Sequence, residues 1–122
     1  MKIKKIAVFT PYPESVNKSV FEYFSKKNIE ISSFSSFNLD SDLEIGKVDP
    51  SYLSEVLTKM DTGSSDALFI SCTALPALKI LDQVETKIKK TVLSSNQTLI
   101  WDSIRSVGYK NSITGYGQLF RN

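Results

Sequence analysis

Four apolar segments alternate with segments of helical periodicity along this chain, and that alternation restricts the fold more than any other feature. The apolar segments span residues 3–9, 28–34, 66–71 and 91–95. Apolar residues elsewhere recur every three or four positions, as on one face of an amphipathic helix. Strands that alternate with helices are typical of a parallel sheet covered on both faces. We therefore predict an α/β three-layer sandwich with a parallel sheet of about four strands.

The first two helices have clear start signals. Helix one should begin near Glu14, because the preceding prolines of "TPYP" stop the first strand. Pro50 suits the first turn of helix two, where its missing N–H costs little. The residues between the second strand and Pro50, 35–48, are mostly polar and are interpreted as a long connection.

The last two helices are predicted to follow the third and fourth strands directly. Thr73 is placed as the cap of the third helix, with Pro76 in its first turn. Ser95 or Asn96 is placed as the cap of the last helix, which should run to Gly108.

The composition favours one cytoplasmic domain. The chain has 122 residues, a formal charge of +2 and one cysteine, so an internal disulfide is impossible. The basic residues form no stripe of the kind that binds nucleic acid, and no apolar stretch is long enough to span a membrane. Residues 1–122 are interpreted as a single α/β lobe, of which 109–122 form a C-terminal tail.

Three polar clusters follow strand ends. They are "TPY" at 10–12, "SCT" at 71–73 and "SSNQ" at 94–97. Ligands of parallel sheets bind outside the carboxyl ends of the strands, so the clusters should meet at one edge. Each cluster is predicted to precede a helix N-terminus, which favours an anion.

Cys72 has two interpretations. A free cysteine is among the most buried residue types and often serves as a small hydrophobe. The chain contains no histidine to activate a thiol, but a helix N-terminus directly after Cys72 would lower its pKa. Its position between the hydroxyl residues Ser71 and Thr73 favours the functional interpretation.

The neighbouring polar residues also have structural alternatives. Tyr12, between two prolines, fits a turn residue with a packed ring as well as an oxyanion donor. Asn96 is a natural helix cap in any protein, and Asn17 could be solvated. The nucleotide-binding motifs GxxxxGK[ST] and GxGxxG are absent, and the first strand ends without the acidic residues that a metal site needs.

The segments "FTPYPESVN", "DALFISCTAL", "SSNQTLIW" and "GYGQL" together resemble the second half of the aspartate/glutamate racemase superfamily, in its maleate cis-trans isomerase and arylmalonate decarboxylase branch. The resemblance covers about residues 3–119. It implies a cofactor-independent, metal-free enzyme of two similar lobes, which acts on a small dicarboxylate, an amino dicarboxylate or a related acid in the cleft between the lobes. Racemisation, cis-trans isomerisation and decarboxylation all remain open.

The resemblance also assigns roles to particular residues. Cys72 matches the catalytic cysteine of the second lobe, which gives or takes a proton opposite a second thiol. Tyr12 and Asn17 match substrate-binding residues. The full predicted substrate-binding set, from the clusters and the resemblance together, is Thr10, Tyr12, Asn17, Ser71, Thr73, Ser95 and Asn96.

Two departures from the family pattern matter. The family usually has "SCTN" where this chain has "SCTA", so Ala74 removes an amide side chain beside the cysteine. Family members are also about twice as long, so a single copy should hold half of a cleft. We expect either a missing N-terminal lobe or a homodimer to complete it. The alternative function is a non-catalytic α/β module that binds a small carboxylate or serves as an assembly partner.

Overall fold

Four parallel strands form the central sheet of the structure, a computed structural model that describes residues 2–122. They are β1 (Lys5–Thr10), β2 (Glu30–Ser36), β3 (Ala67–Ile70) and β4 (Thr91–Ser94), in the spatial order β2-β1-β3-β4. All neighbouring pairs run parallel. The predicted α/β fold with four parallel strands is confirmed, although β1 and β2 each begin and end slightly later in the chain than predicted.

The described residues form five α-helices and two short 3-10 turns. The helices are α1 (Glu14–Lys26), α2 (Asp42–Gly46), α3 (Pro50–Lys59), α4 (Leu81–Ile88) and α5 (Ser95–Ser106); the 3-10 turns are Leu78–Ile80 and Gln118–Arg121. Within residues 2–122, no helix has the length and apolar character needed to cross a membrane.

The two faces of the sheet pack differently. Alternate side chains of each strand point to opposite faces. One face joins the larger core with α2, α3 and α4, through the buried residues Ala7, Phe9, Ile45, Leu53, Leu57, Leu68, Ile70, Leu81 and Val84. The other face has a smaller buried cluster of Ile6, Val8 and Ala67, against which Val20 and Phe24 of α1 pack only partly buried. The second face is therefore less completely covered.

The interpretation of residues 35–48 as one long connection is wrong. β2 continues to Ser36, and α2 occupies residues 42–46. Ser41 caps α2 by accepting a hydrogen bond from the Glu44 N–H at 3.2 Å. Ile45 is 2 % exposed and belongs to the larger core. A single buried apolar residue anchors a helix too short to show periodicity, so the sequence pattern missed it.

The predicted start of the helix after β3 is also wrong. Residues 71–77 form a loop, the first helical turn is the 3-10 turn at Leu78, and α4 begins only at Leu81. Cys72 has a positive φ of 100°, which does not continue into a right-handed helix. Thr73 therefore caps no helix, and Pro76 lies in the loop rather than in a first turn.

The cap of α5 is Ser94, one residue before the predicted Ser95 or Asn96. The Ser94 hydroxyl accepts from the Gln97 N–H at 3.2 Å, and the Gln97 side chain accepts from the Ser94 N–H at 3.1 Å. This reciprocal pair is a capping box. It leaves the side chains of Ser95 and Asn96 available for other contacts.

Candidate active site

The carboxyl ends of β1, β3 and β4 bring the three polar clusters to one edge of the sheet. Cys72 follows β3 directly and is 8 % exposed. Its N–H donates to the Ser95 hydroxyl oxygen at 3.1 Å, and the Asn96 side-chain amide donates to the Thr73 carbonyl at 2.9 Å. Two consecutive residues of α5 therefore hold the backbone on both sides of the Cys72 side chain.

The left-handed backbone at Cys72 is unusual. A non-glycine residue with positive φ is uncommon, and such strain persists only where surrounding contacts hold it. Strained backbone of this kind clusters at functional sites. The conformation, rather than a helix N-terminus, distinguishes Cys72 from an ordinary core cysteine.

Tyr12 reaches the same place from the end of β1. Burial is the largest cause that raises the pKa of its phenol, and a hydrogen bond with Cys72 raises this pKa further. A hydrogen bond with Ser71 lowers it, whereas the charge of Asp42 raises it. The phenol therefore stays protonated at neutral pH and can donate to a thiolate or to a bound anion.

A buried polar network holds the turn that carries Tyr12. The Thr10 hydroxyl donates to the Asn17 side-chain oxygen and accepts from the Tyr12 N–H at 3.3 Å. The Asn17 amide donates to the Tyr12 carbonyl at 3.2 Å, and the Ser36 hydroxyl donates to the same carbonyl. Thr10 is 0 % exposed and Asn17 is 6 % exposed. Asn17 is thus buried rather than solvated.

The structure separates the predicted site residues into two groups. Tyr12, Ser71 and Cys72 converge at the sheet edge, where Tyr12 packs against the core cluster that includes Cys72 and lines a groove together with Ser71. Thr10, Asn17, Ser95 and Asn96 hold the backbone of that first group, as the contacts above show; Thr73 is exposed and contributes its carbonyl. Sequence reasoning missed Ser36, whose one signal is its position at the carboxyl end of β2.

An apolar groove continues from the site along the less covered face of the sheet. It encloses about 430 Å³ and is lined by Tyr12, Val16, Ser19, Val20, Tyr23, Phe24, Phe69 and Ser71. Val16 is 41 % exposed and Tyr23 is 59 % exposed. An exposed apolar surface therefore lies beside the site.

Metal binding finds no support in the part of the chain that the structure describes. Residues 2–122 contain no group of three or more histidine, cysteine, aspartate or glutamate side chains that could hold an ion. The site as described consists of a thiol, a phenol, hydroxyls and amides.

The sequence is similar to those of maleate isomerases and of an arylmalonate decarboxylase. It is 29 % identical over 117 residues to the maleate isomerase of Geobacillus stearothermophilus, covering 95 % of this chain and 47 % of that protein. It is 24 % identical over 121 residues to the arylmalonate decarboxylase of Bordetella bronchiseptica, covering 97 % of this chain and 50 % of that protein. The chain thus spans about half the length of these curated relatives.

Solved structures of maleate isomerases have the same fold as this chain over about half of their length. The maleate isomerase of Pseudomonas putida superposes with a TM-score of 0.93 at 25 % identity, covering 98 % of this chain and 49 % of that one. A mutant of the Nocardia farcinica maleate cis-trans isomerase, solved with a covalently bound succinylcysteine intermediate, superposes with a TM-score of 0.92 at 22 % identity, again over 98 % of this chain and 49 % of that one. The family model described as Arylmalonate decarboxylase matches residues 1–120. The chain therefore belongs to the arylmalonate decarboxylase family, with the fold that its maleate isomerase relatives share.

Proposed function

We propose that residues 1–122 form one lobe of a cofactor-independent, cytoplasmic isomerase that acts on a small dicarboxylate such as maleate. The observation that carries this proposal is the convergence of Tyr12, from the end of β1, and Cys72, from the end of β3, at the carboxyl edge of the sheet. A thiol and a protonated phenol held together can exchange a proton with a substrate carbon and stabilise the charge that develops on its carboxylate.

A second thiol is needed for the full reaction, and this chain has only one. The Nocardia farcinica relative carries its succinyl group on a cysteine in a cysteine-to-serine mutant, so that protein has more than one cysteine. We assign the nucleophile of the isomerisation to a thiol of a second lobe and the proton transfer to Cys72.

The second thiolate adds to one carbon of the cis double bond; a C–S bond forms, and the π electrons move to the neighbouring carbon, where the adjacent carboxylate carries the charge as an enediolate. Cys72 donates its proton to that carbon. Rotation about the new single bond follows. The Cys72 thiolate then removes a proton, the C–S bond breaks, and the trans double bond forms.

The other site residues support these steps. In this proposal, Tyr12 and Ser71 donate hydrogen bonds to a substrate carboxylate. Thr10, Asn17 and Ser36 position Tyr12, because their polar atoms are engaged with its backbone and with each other. Ser95 and Asn96 position Cys72 in the same way.

We propose that a second copy of this chain supplies the missing lobe. The apolar groove beside Tyr12 and Ser71 ends at the site, so a partner that covers the groove also closes the site. Isologous dimers are the commonest closed assemblies, and such a dimer would bring two Cys72 thiols to one cleft. A separate N-terminal lobe is the other possible occupant.

The assembly is tested by light scattering across a dilution series of the wild type, Val16→Asp and Val107→Asp. Val16 lines the groove, whereas Val107 lies at the end of α5 and is 83 % exposed. We expect a dimer that Val16→Asp dissociates and Val107→Asp leaves intact. A monomer mass for the wild type at high concentration would overturn the homodimer and leave a separate lobe as the partner.

The reaction is tested by proton NMR of maleate incubated with the wild type, Cys72→Ser and Ser103→Ala. Ser103 is exposed on α5, outside the site residues, and serves as the matched control. We expect fumarate to form with the wild type and the control but not with Cys72→Ser. Equal rates in all three proteins would refute a role for Cys72. Maleate-induced amide shifts at Tyr12 and Cys72 without turnover would support the carboxylate-binding module instead.

A further inference from the structure

The C-terminal turn is tied to the start of α5 by one buried side chain. Gln97 is 0 % exposed, and its amide nitrogen donates to the Tyr116 carbonyl at 2.6 Å. Its amide oxygen accepts from the Ser94 N–H in the capping box of α5. Gln97 therefore joins the turn at residues 115–117 to the first turn of α5, in which Ser95 and Asn96 hold the Cys72 loop.

The turn itself is anchored on α4. The Gly117 N–H donates to Asp82 at 2.6 Å, and the Gln118 N–H donates to Glu85 at 2.8 Å. Glu85 also accepts from the Val92 N–H of β4 at 2.8 Å, and Arg121 lies 3.5 Å from Asp82. These contacts fix the turn relative to the strand that leads into α5.

Gly117 fits against Gln97 with no space for a side chain. Its φ is 89°, and a Cβ at this position would lie 2.7 Å from the Gln97 amide nitrogen. Gly115 has a similar φ of 98°, but a Cβ there would meet no atom within 4 Å. The two glycines are therefore a matched pair that differ in their contact with Gln97.

We propose that the turn around Gly117 acts through Gln97 as a positioning device for Cys72. The connection runs from the Tyr116 carbonyl through Gln97 to the first turn of α5, where Ser95 and Asn96 bond to the backbone around Cys72. The strained φ of Cys72 depends on those two bonds, so a shift of the α5 terminus relaxes the cysteine loop. The catalytic importance of this device rests on the proposed function, but its existence does not.

The test is the rate of iodoacetamide alkylation of Cys72, the one cysteine of the chain, in Gly117→Ala and Gly115→Ala. Local opening of the loop exposes the thiol without unfolding the lobe. We expect Gly117→Ala to react at least about fivefold faster than wild type, and Gly115→Ala to stay within about twofold. Asp82→Ala removes the partner of the Gly117 N–H without changing Gln97, so its alkylation rate should lie between those of wild type and Gly117→Ala. This variant also tests the proposal if Gly117→Ala does not fold.

Two further readouts separate positioning from a loss of stability. Alkylation through a local opening should be nearly independent of low urea concentrations, whereas global unfolding would give a rate that rises with the slope of the unfolding transition. In Gly117→Ala, the pKa of Tyr12 should fall toward that of an ordinary tyrosine, because the altered Cys72 loop weakens the burial and the hydrogen bond that raise it. Comparison with Tyr12→Phe identifies which ionisation belongs to Tyr12. Equal alkylation of the two glycine variants, or a urea slope equal to that of global unfolding, would overturn the proposal. Neither result depends on turnover of a dicarboxylate, so failure here is distinguishable from failure of the proposed function.

Discussion

The hydrogen bond between Thr10 and Asn17 offers the sharpest test of how the site is held. Replacing Thr10 by valine keeps the shape of the side chain but removes the hydroxyl. The Asn17 side-chain oxygen and the Tyr12 N–H then each lose a partner. Thr10 is 0 % exposed and Asn17 is 6 % exposed, so water replaces these bonds poorly.

The expected loss follows from those two groups. Leaving one buried polar group without a partner costs about 1–3 kcal/mol, and the Tyr12 N–H bond, at 3.3 Å, is the weaker of the two. We therefore expect Thr10→Val to lower the free energy of unfolding by about 2–3 kcal/mol. With a urea slope of about 1.5 kcal/mol per M, the midpoint of unfolding should fall by about 1.3–2 M.

Urea denaturation, followed by circular dichroism, measures this change. Thr10→Ser is the matched control, because it keeps the hydroxyl and loses one methyl group, which costs about 1 kcal/mol. Adding Asn17→Leu to the wild type and to Thr10→Val completes a double-mutant cycle, from which we expect a coupling energy of about 1 kcal/mol or more. If Thr10→Val is no less stable than Thr10→Ser, or if the cycle shows no coupling, the network does not hold the Tyr12 turn as described.

Two pH-dependent predictions concern Asp66 and Tyr12. Hydrogen bonds from the backbone N–H groups of Lys4 and Lys5, in that order of importance, hold the pKa of Asp66 below its usual value. The stability that the ionised Asp66 contributes to the folded state is therefore present above about pH 4 and is lost as the pH falls through the folded pKa. Asp66→Asn should therefore be less stable than wild type at neutral pH and equally stable in strong acid by urea denaturation; a constant difference would contradict this. Because burial raises the pKa of Tyr12, the stability that its protonated phenol contributes is complete below about pH 10 and is lost as the pH rises through the folded pKa. Ultraviolet titration should therefore show a tyrosine ionisation above about pH 10 that Tyr12→Phe lacks; identical titration curves of the two proteins would contradict this.

Much of the fold was predictable from local signals. The apolar run at 66–71 and the alternation of strands and helices predicted the parallel sheet, because a strand buried on both faces needs apolar residues on both sides. The same order placed the polar clusters at one edge, since parallel strands present their carboxyl ends together. The short helix α2 escaped prediction because five residues with one buried side chain show no period.

The sequence predicted candidate members of the site but not the contacts between them. The sequence identified Cys72, Tyr12 and Asn17 as candidates, yet it left open whether Asn17 is solvated and placed the start of the helix after Cys72 too early in the chain. The contacts of Asn17 with Thr10 and with the Tyr12 carbonyl depend on where the turn after β1 places them. A pattern of residue types carries no such information.

The sequence alone determined which residues are apolar, that the strands form a parallel sheet, and which polar groups follow the strand ends, because these follow from periodicity and chain order. The spatial order of the strands came only from the structure. The tertiary structure alone decided that Cys72 takes a left-handed backbone held by α5 rather than a helix N-terminus. That outcome depends on hydrogen bonds between residues more than twenty positions apart. Such bonds form only after the sheet has brought the ends of β3 and β4 together, so no local preference of the chain encodes them.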